Sequence, residues 1–469
     1  MERRVRVCLV LEGSYPYITG GVSSWMHQLI RSIPEVDFVL YTISPKADQE
    51  VRYTLPENVV GHTDLVLVEK PESTAQPRRK RQMLEEIRTM HQSMAAGSKA
   101  NLDRTVKLMP EGYHLFKDSY MSEIGWELIT GQNQQNNPIY PFSDYFWAWK
   151  SVHDMFFTVL GASAPEADIY HAISTGYAGL AATTAKIRTE KPFLLTEHGL
   201  YHKEREMEIR RVRFVRGYQR DMWIKAYNGL SRMSYNHADL IIALFEYNRR
   251  MQVALGAPEE NTMVIANGID VPRFSSIERK SRPGFHVGLI GRVVPIKDIK
   301  TFIATCRIVK DRHPDALFYC IGPTDEDMAY YEECQTMVSS FRLDDSFTFT
   351  GSTNVMEYYA FLDVLLLTSV REAQPLVILE AYAAGVPVAA TRVGNVPELL
   401  DYDERFLAPS KDPEKLANAV TFIHDNPNEM SRIVEASRRK TKQFYDRDEV
   451  HRKYLDIYRQ MARDGKWQA

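Results

Sequence analysis

A chain of 469 residues, 44% hydrophobic and 25% charged, is long enough for two or three globular domains. Its net charge of −3 argues against a general nucleic-acid binder, and no run approaches the ~18 apolar residues of a membrane span. Four cysteines (Cys8, Cys306, Cys320, Cys334) form no close ligand pair, which points to reduced, buried thiols of a cytoplasmic protein and away from structural zinc. The N-terminus enters a strand directly, so no signal peptide is expected.

Residues 5–11 read as a first strand and 12–17 as a turn-rich loop. Gly20-Gly21-Val22 then opens an amphipathic helix carrying Trp25, Leu29 and Ile30. Strand, glycine loop and helix begin a doubly wound α/β unit. The glycine pair lets backbone approach a ligand closely, although a tight turn uses glycines equally well. A second strand covers 37–43. From about 71 to 160 the alternation fades into a basic run (Arg78-Arg79-Lys80-Arg81), helical patterns, a polar loop at 132–137, and the aromatics Tyr140, Phe142, Tyr145, Phe146 and Trp147. This predicts an inserted helical subdomain, either extra scaffold or a grip on an acceptor or partner.

Strands resume at 168–171 and 192–199, each with a histidine near its end, where α/β sheets place ligand contacts. His171 fits an ordinary hydrogen-bonded core residue. His198, between Glu197 and Gly199, is the stronger functional candidate. Residues 203–220 are strongly basic, and Arg213, Arg216 and Arg220 share a helix face by spacing, suited to solvent or to an anionic group. Strands at 239–244 and 263–266 complete the first sheet. The turn Asn267-Gly268-Ile269-Asp270 leads to a boundary, with a first domain over 1–275, a second over 276–440, and a closing helix in 441–469 that packs back on the first.

In the second domain, strands at 286–290, 316–321, 346–349, 364–367 and 387–390 alternate with helical patterns, predicting a parallel sheet with right-handed crossovers. Gly291, Gly322, Gly351 and Gly394 follow strand ends closely. Arg292 and Lys297 flank a proline turn and suit a diphosphate, or a pairing with carboxylates such as Asp298. Residues 371–385 hold a nearly all-apolar helix, begun by Pro375 and ended by Gly385. Its one carboxylate, Glu380, needs a partner if buried. Glu372 lies in the loop before it, and first-turn N–H groups favour an anion. The Asp-x-Asp pairs at Asp325/Asp327, Asp401/Asp403 and Asp446/Asp448 follow no apolar strand directly and read as solvated carboxylates.

Together, Gly20-Gly21, Asn267-Gly268-Ile269-Asp270, Gly291-Arg292…Lys297, Glu372 and Glu380 with seven residues between them, Gly385-Val386-Pro387-Val388, and Gly394…Pro397-Glu398 resemble the family 4 retaining glycosyltransferases. Residues 196–206 and the long insertion are similar to the PelF-like branch, the cytoplasmic glycosyltransferases of Pel exopolysaccharide synthesis. The resemblance implies an α/β GT-B fold, two Rossmann-like domains facing across a cleft, with a helical insertion in the N-terminal domain. It implies transfer of a sugar from a UDP-sugar to a growing polysaccharide, without a metal or any cofactor beyond the donor. Arg292 and Lys297 would bind the donor diphosphate, and Glu380 the ribose hydroxyls. Glu372 and the backbone at Gln374, Pro375, Leu376 and Val377 would hold sugar and phosphate. Gly20 and Gly21 would approach the donor, His198 would lie near the transferred sugar, and Gly322, Thr350 and Gly351 would line the base pocket. Implied partners are the UDP-sugar, a polysaccharide acceptor and the inner-membrane Pel proteins that recruit the chain peripherally. Relatives often carry glycine and an aromatic where this chain has Ala373-Gln374, which bears on sugar selectivity. A catalytically silent nucleotide-sugar-binding subunit, or another GT-B enzyme such as a phosphorylase or epimerase, are the competing classes.

Overall fold

The computed structural model describes residues 3–67, 73–95, 102–115, 120–136, 141–212, 215 and 217–467. The chain forms two compact units, Met1–Ile265 with His451–Ala469, and Ala266–Val450. In the first, the parallel strands β1 (Arg6–Glu12), β2 (Asp37–Ser44), β3 (Val59–Val66), β4 (Ile169–Ala172), β5 (Phe193–Glu197), β6 (Leu240–Ala243) and β7 (Thr262–Val264) lie in the order β3-β2-β1-β4-β5-β6-β7. The central strands are buried on both faces and mostly apolar, as parallel strands covered by helices require, with His171, Thr196 and Glu197 the buried polar exceptions in β4 and β5. β3 escapes a reading by hydrophobicity because it is a half-exposed edge carrying Gly61, His62, Thr63 and Asp64. Thr42 and Ser44 pin it by donating to Asp64 Oδ1 at 2.6 and 2.7 Å.

Among the described residues the insertion contains helices Lys80–Ala95, Asp103–Leu108, Glu123–Asn136 and Phe142–Gly161. Met83, Leu84, Ile87 and Met90 on the first face Tyr145, Trp149 and Phe156 on the last within one core, the three-to-four spacing of a buried stripe. The polar stretch expected as a loop at 132–137 is helical through Asn136, because Gln and Asn without Gly or Pro do not stop a helix; Asn137 and Tyr140 lie outside the described residues. The basic segment is two helices, Tyr201–Arg211 and Gly217–His237. Of the three arginines expected to share a helix face, Arg213 and Arg216 lie outside the described residues, and Arg220 donates to the Val215 carbonyl at 3.2 Å. Among the described residues no helix is long and apolar enough to cross a membrane.

The second unit carries β8 (Phe285–Ile290), β9 (Ala316–Ile321), β10 (Phe347–Gly351), β11 (Val364–Leu367), β12 (Val388–Thr391) and β13 (Leu407–Ala408), ordered β10-β9-β8-β11-β12-β13. Both sheets therefore begin with the 3-2-1-4-5-6 arrangement of doubly wound nucleotide-binding folds, reversing direction beside their first strand. The expected boundaries at 275/276 and 440/441 differ from the observed units. Ile269, Val271 and Phe274 bury into the second core. Ile269 N–H donates to Tyr445 O and Arg447 N–H to Ile269 O, both at 2.8 Å, so 266–275 and 441–450 stay together in the second unit. Tyr454 and Tyr458 of the final helix are buried in the first unit, where Tyr458 Oη lies 2.7 Å from His171 Nδ1.

Candidate functional site

In the second unit the reversal falls between β8 and β11, and the loops leaving them are stitched together. Thr368 Oγ1 reaches the Lys297 and Asp298 carbonyls at 2.8 and 3.0 Å, and Val370 N–H donates to Ile296 O at 2.9 Å. Asp298 caps helix Ile299–Arg312 from a left-handed backbone (φ 49°), taking a 2.7 Å bond from Thr301 Oγ1. The short turn Pro295–Lys297 before it is thereby fixed, and Lys297 Nζ meets Glu372 Oε1 at 2.5 Å. Ser369 Oγ donates to the same oxygen at 2.7 Å. The two charged side chains are only 19% and 14% exposed, so each holds the other's charge largely out of water.

Arg292 leaves the same loop but joins a different acid. Its Nη1 lies 2.7 and 2.6 Å from the two oxygens of Glu326, in an open pair with side chains 53% and 49% exposed. Under it the backbones crowd. Gly322 has φ 145°, and a Cβ there would stand 2.2 Å from the Gly291 carbonyl oxygen. Gly322 also bridges Gly351, so the loops after β8, β9 and β10 lie side by side with Thr350 next to the last. Thr350 Oγ1 turns to the Gly351 carbonyl at 2.9 Å.

Gly394 supports the acidic loop. With φ 51°, its position leaves a Cβ only 2.0 Å from the Glu372 carbonyl oxygen, and neighbouring Asn395 N–H donates to Ala373 O at 2.9 Å. Gln374, expected among the substrate contacts, has its side chain committed elsewhere. Its Oε1 accepts Asn267 N–H at 2.9 Å and its Nε2 donates to Asn267 O at 3.1 Å, leaving the residue 8% exposed. The primary amide matches the paired donor and acceptor of a peptide backbone, which explains the choice. Pro375 is the residue before helix Leu376–Ala383 rather than its first member, and no side chain caps that helix. Gly385 ends it at φ 80°. Glu380 receives the Tyr359 hydroxyl at 3.1 Å. Burial pushes its carboxyl above the usual carboxylate range, opposed by Tyr359 and the charge of Arg273.

The first unit presents a separate group at its own reversal, between β1 and β4. Glu12, at the end of β1, accepts Tyr177 N–H at 2.7 Å and Tyr201 Oη–H at 2.9 Å, with Arg205 at 3.8 Å. It thus occupies the N-terminus of helix Tyr177–Thr189. Gly20 and Gly21, at the start of helix Gly21–Ser32, are exposed, and a Cβ on either would meet nothing within 4 Å. His198 stands edge-on to Trp25 (ring centroids 4.4 Å) with Nε2 buried and lacking a hydrogen-bond partner. Burial lowers its pKa to about 4, so it is neutral near pH 7. Glu197 beneath it is held by Tyr235 Oη, Gln252 Nε2, Tyr201 N and Thr175 Oγ1 at 2.7, 2.9, 3.0 and 3.2 Å. His171 is a fully buried core histidine bonded to Tyr458 and Thr196.

The Asp-x-Asp pairs have local work: Asp327 caps helix Met328–Ser340, Asp401 meets Lys440, Asp403 binds Arg405, and Asp446 accepts Asp448 N–H. Motif reasoning missed Thr368, Ser369, Glu326 and Tyr359. The first two were within reach as hydroxyls directly after an apolar strand, whereas Glu326 and Tyr359 are brought in by tertiary folding alone.

Residues 5–260 match a family described as "Domain of unknown function (DUF3492)", and residues 284–426 match "Glycosyl transferases group 1". The chain is 24% identical over 238 residues to the putative colanic acid biosynthesis glycosyltransferase WcaL of Escherichia coli K12, covering 48% of this chain and 57% of that one. It is 24% identical, with the same coverage, to the amylovoran biosynthesis glycosyltransferase AmsK of Erwinia amylovora. It is 26% identical to the sulfoquinovosyl transferase SQD2 of Arabidopsis thaliana over 60% of this chain and 54% of that one. The chain thus spans between half and two thirds of these relatives' length. Among solved structures, Anabaena HepE in complex with UDP and glucose aligns over 97% of this chain and 99% of its own, with TM-score 0.58 and 14% identity. Sucrose-phosphate synthase of Thermosynechococcus elongatus aligns over 98% and 100%, with TM-score 0.60 and 16% identity. The fold is that of the GT-B class.

Proposed function

From a chain that belongs to the DUF3492 family, we propose a retaining glycosyltransferase whose second unit binds a UDP-sugar and passes the sugar to a polysaccharide acceptor. The observation that carries this reading is the shielded Lys297–Glu372 pair at the sheet reversal, beside the uncapped helix Leu376–Ala383. A group 1 glycosyl transferase match covers the same segment.

The chemistry asks for this set. The bond between the anomeric carbon and the diphosphate oxygen breaks, the sugar joins an acceptor hydroxyl, and the hydroxyl proton leaves with the UDP product. Negative charge grows on the departing phosphate. Lys297, Arg292 and the free N–H groups of Leu376 and Val377 are donors suited to that charge. Glu372, already bound by Lys297 and Ser369, keeps a second oxygen for the sugar hydroxyls. Glu380 suits the ribose hydroxyls, since a carboxylate short of partners gains from two more donors. Gly322, Thr350 and Gly351 supply a flat backbone wall for the base. In the first unit, neutral His198 with its unpaired Nε2 suits a sugar hydroxyl, and Gly20-Gly21 leaves the backbone bare for a ligand.

The finer assignment is a family 4, PelF-like transferase, cytoplasmic and recruited to the inner membrane by Pel synthesis proteins. It is supported by the 196–206 motif and by relatives named for colanic acid and amylovoran biosynthesis. The test is nucleotide release and product formation from a panel of UDP-sugars with a Pel-type oligosaccharide acceptor. Acceptor-dependent UDP release is expected, together with a UDP-induced rise in melting temperature that shrinks in Glu380→Gln. Binding of UDP with no turnover on any donor would overturn the transfer step, and equal UDP shifts in both proteins would overturn the ribose role.

A further inference from the structure

Away from this site, at the opposite end of the second sheet's strands, two helices end together. Helix Ile299–Arg312 closes on His313, and helix Pro413–Asp425 closes on His424 and Asp425. One ligand atom from each of these three residues lies within 4.8 Å of the others. The two imidazoles meet edge to face with centroids 4.4 Å apart, backed by Phe285, whose ring lies 4.3 Å from that of His424. His313 Nε2 is buried and has no hydrogen-bond partner, an unusual condition for a ring nitrogen. The neighbouring guanidinium of Arg312 is engaged by Glu414 and Asn418 at 3.1 and 2.7 Å. Two helix C-termini add partial negative charge.

We propose that His313, His424 and Asp425 form a binding site for one borderline divalent transition-metal ion, of which zinc is the archetype. Two imidazole nitrogens and a carboxylate suit such an ion and not magnesium or calcium, which prefer oxygen ligands. Burial disfavours the charged form of His313, and a ligating imidazole must be neutral. Three protein ligands leave a coordination position for water. The site precedes β9, whereas Gly322 follows it, so about 20 Å of strand at roughly 3.3 Å per residue separates the ion from the proposed donor site. The ion would act as a clasp between two helices and stay outside the transfer chemistry. This proposal does not depend on the transferase reading.

The test uses the full chain, without a histidine tag, stripped with chelator and dialysed against Zn²⁺ or Mg²⁺. One Zn²⁺ per chain and no bound Mg²⁺ is expected. His424→Ala alters an exposed helix end, so the variant should fold, as circular dichroism would verify. Its zinc affinity should fall at least about 100-fold, beyond the ~10–100-fold cost of losing a mere supporting residue. Asp425→Asn should weaken binding while UDP affinity stays unchanged. No zinc bound by the native chain, or full binding by folded His424→Ala, overturns the site.

Discussion

Arg292 and Lys297 leave one loop, yet their removal should have different costs. The Arg292–Glu326 pair is open to water, and such pairs contribute about 0–1 kcal/mol. Arg292→Ala should therefore fold normally while turnover falls roughly 100- to 1,000-fold, the usual loss for one charge-stabilising donor. Lys297→Ala strands Glu372 in a poorly solvated position, at a cost of roughly 3–5 kcal/mol. The Lys297→Met/Glu372→Gln double variant should regain much of that stability and none of the activity. Urea unfolding and UDP release measured side by side check all three. If Lys297→Ala were as stable as the native chain, the shielded pair would have no structural weight. At this scale the sequence conveys residue type and spacing, enough to single out Lys297 and Glu372. It is silent on side-chain destination: nothing in the motif conveys that the Gln374 side chain clamps the Asn267 backbone.

The loops between strands show which glycines are architectural. Gly322→Ala and Gly394→Ala would each force a Cβ into a carbonyl oxygen from a positive φ. Each should destabilise the second unit by roughly 3 kcal/mol or more, read as a lowered melting temperature. Gly21→Ala meets nothing and begins a helix, so it should stabilise by about 0.5–1 kcal/mol while weakening donor use. A Gly21→Ala protein with greater stability and unchanged turnover would remove this glycine from the proposed function. Most strands were legible because buried parallel strands are mostly apolar runs. The edges β3 and β13 were not, since one is polar and half exposed and the other is two residues long. Unit boundaries were also blurred, because Phe274 and Tyr445 lie near the expected joins yet pack inward by contacts far apart in sequence.

Across the molecule, acid should act first on the first unit. His171, His198 and His202 are held neutral by burial, with pKa values lowered to about 3, 4 and 4. Above about pH 6.5 neither the folded nor the unfolded chain protonates them. Between about pH 6.5 and 4 the unfolded chain takes up protons that the folded chain refuses, so stability falls as the pH drops. Each contributes up to about 1.4 kcal/mol per pH unit. Glu12, Glu197 and Glu380 act in the opposite sense, since burial raises their carboxyl pKa values and acid relieves the cost of their charge. Urea midpoints at pH 7, 6 and 5 should decline, and His202→Gln should flatten that decline. Twin topologies do not give this chain twin berths. Glu12 parks its own carboxylate where a phosphate would otherwise dock in the first sheet, while no side chain caps the equivalent helix of the second. Calorimetric titration with UDP should accordingly saturate at a single equivalent: of two like-built halves, one comes already plugged.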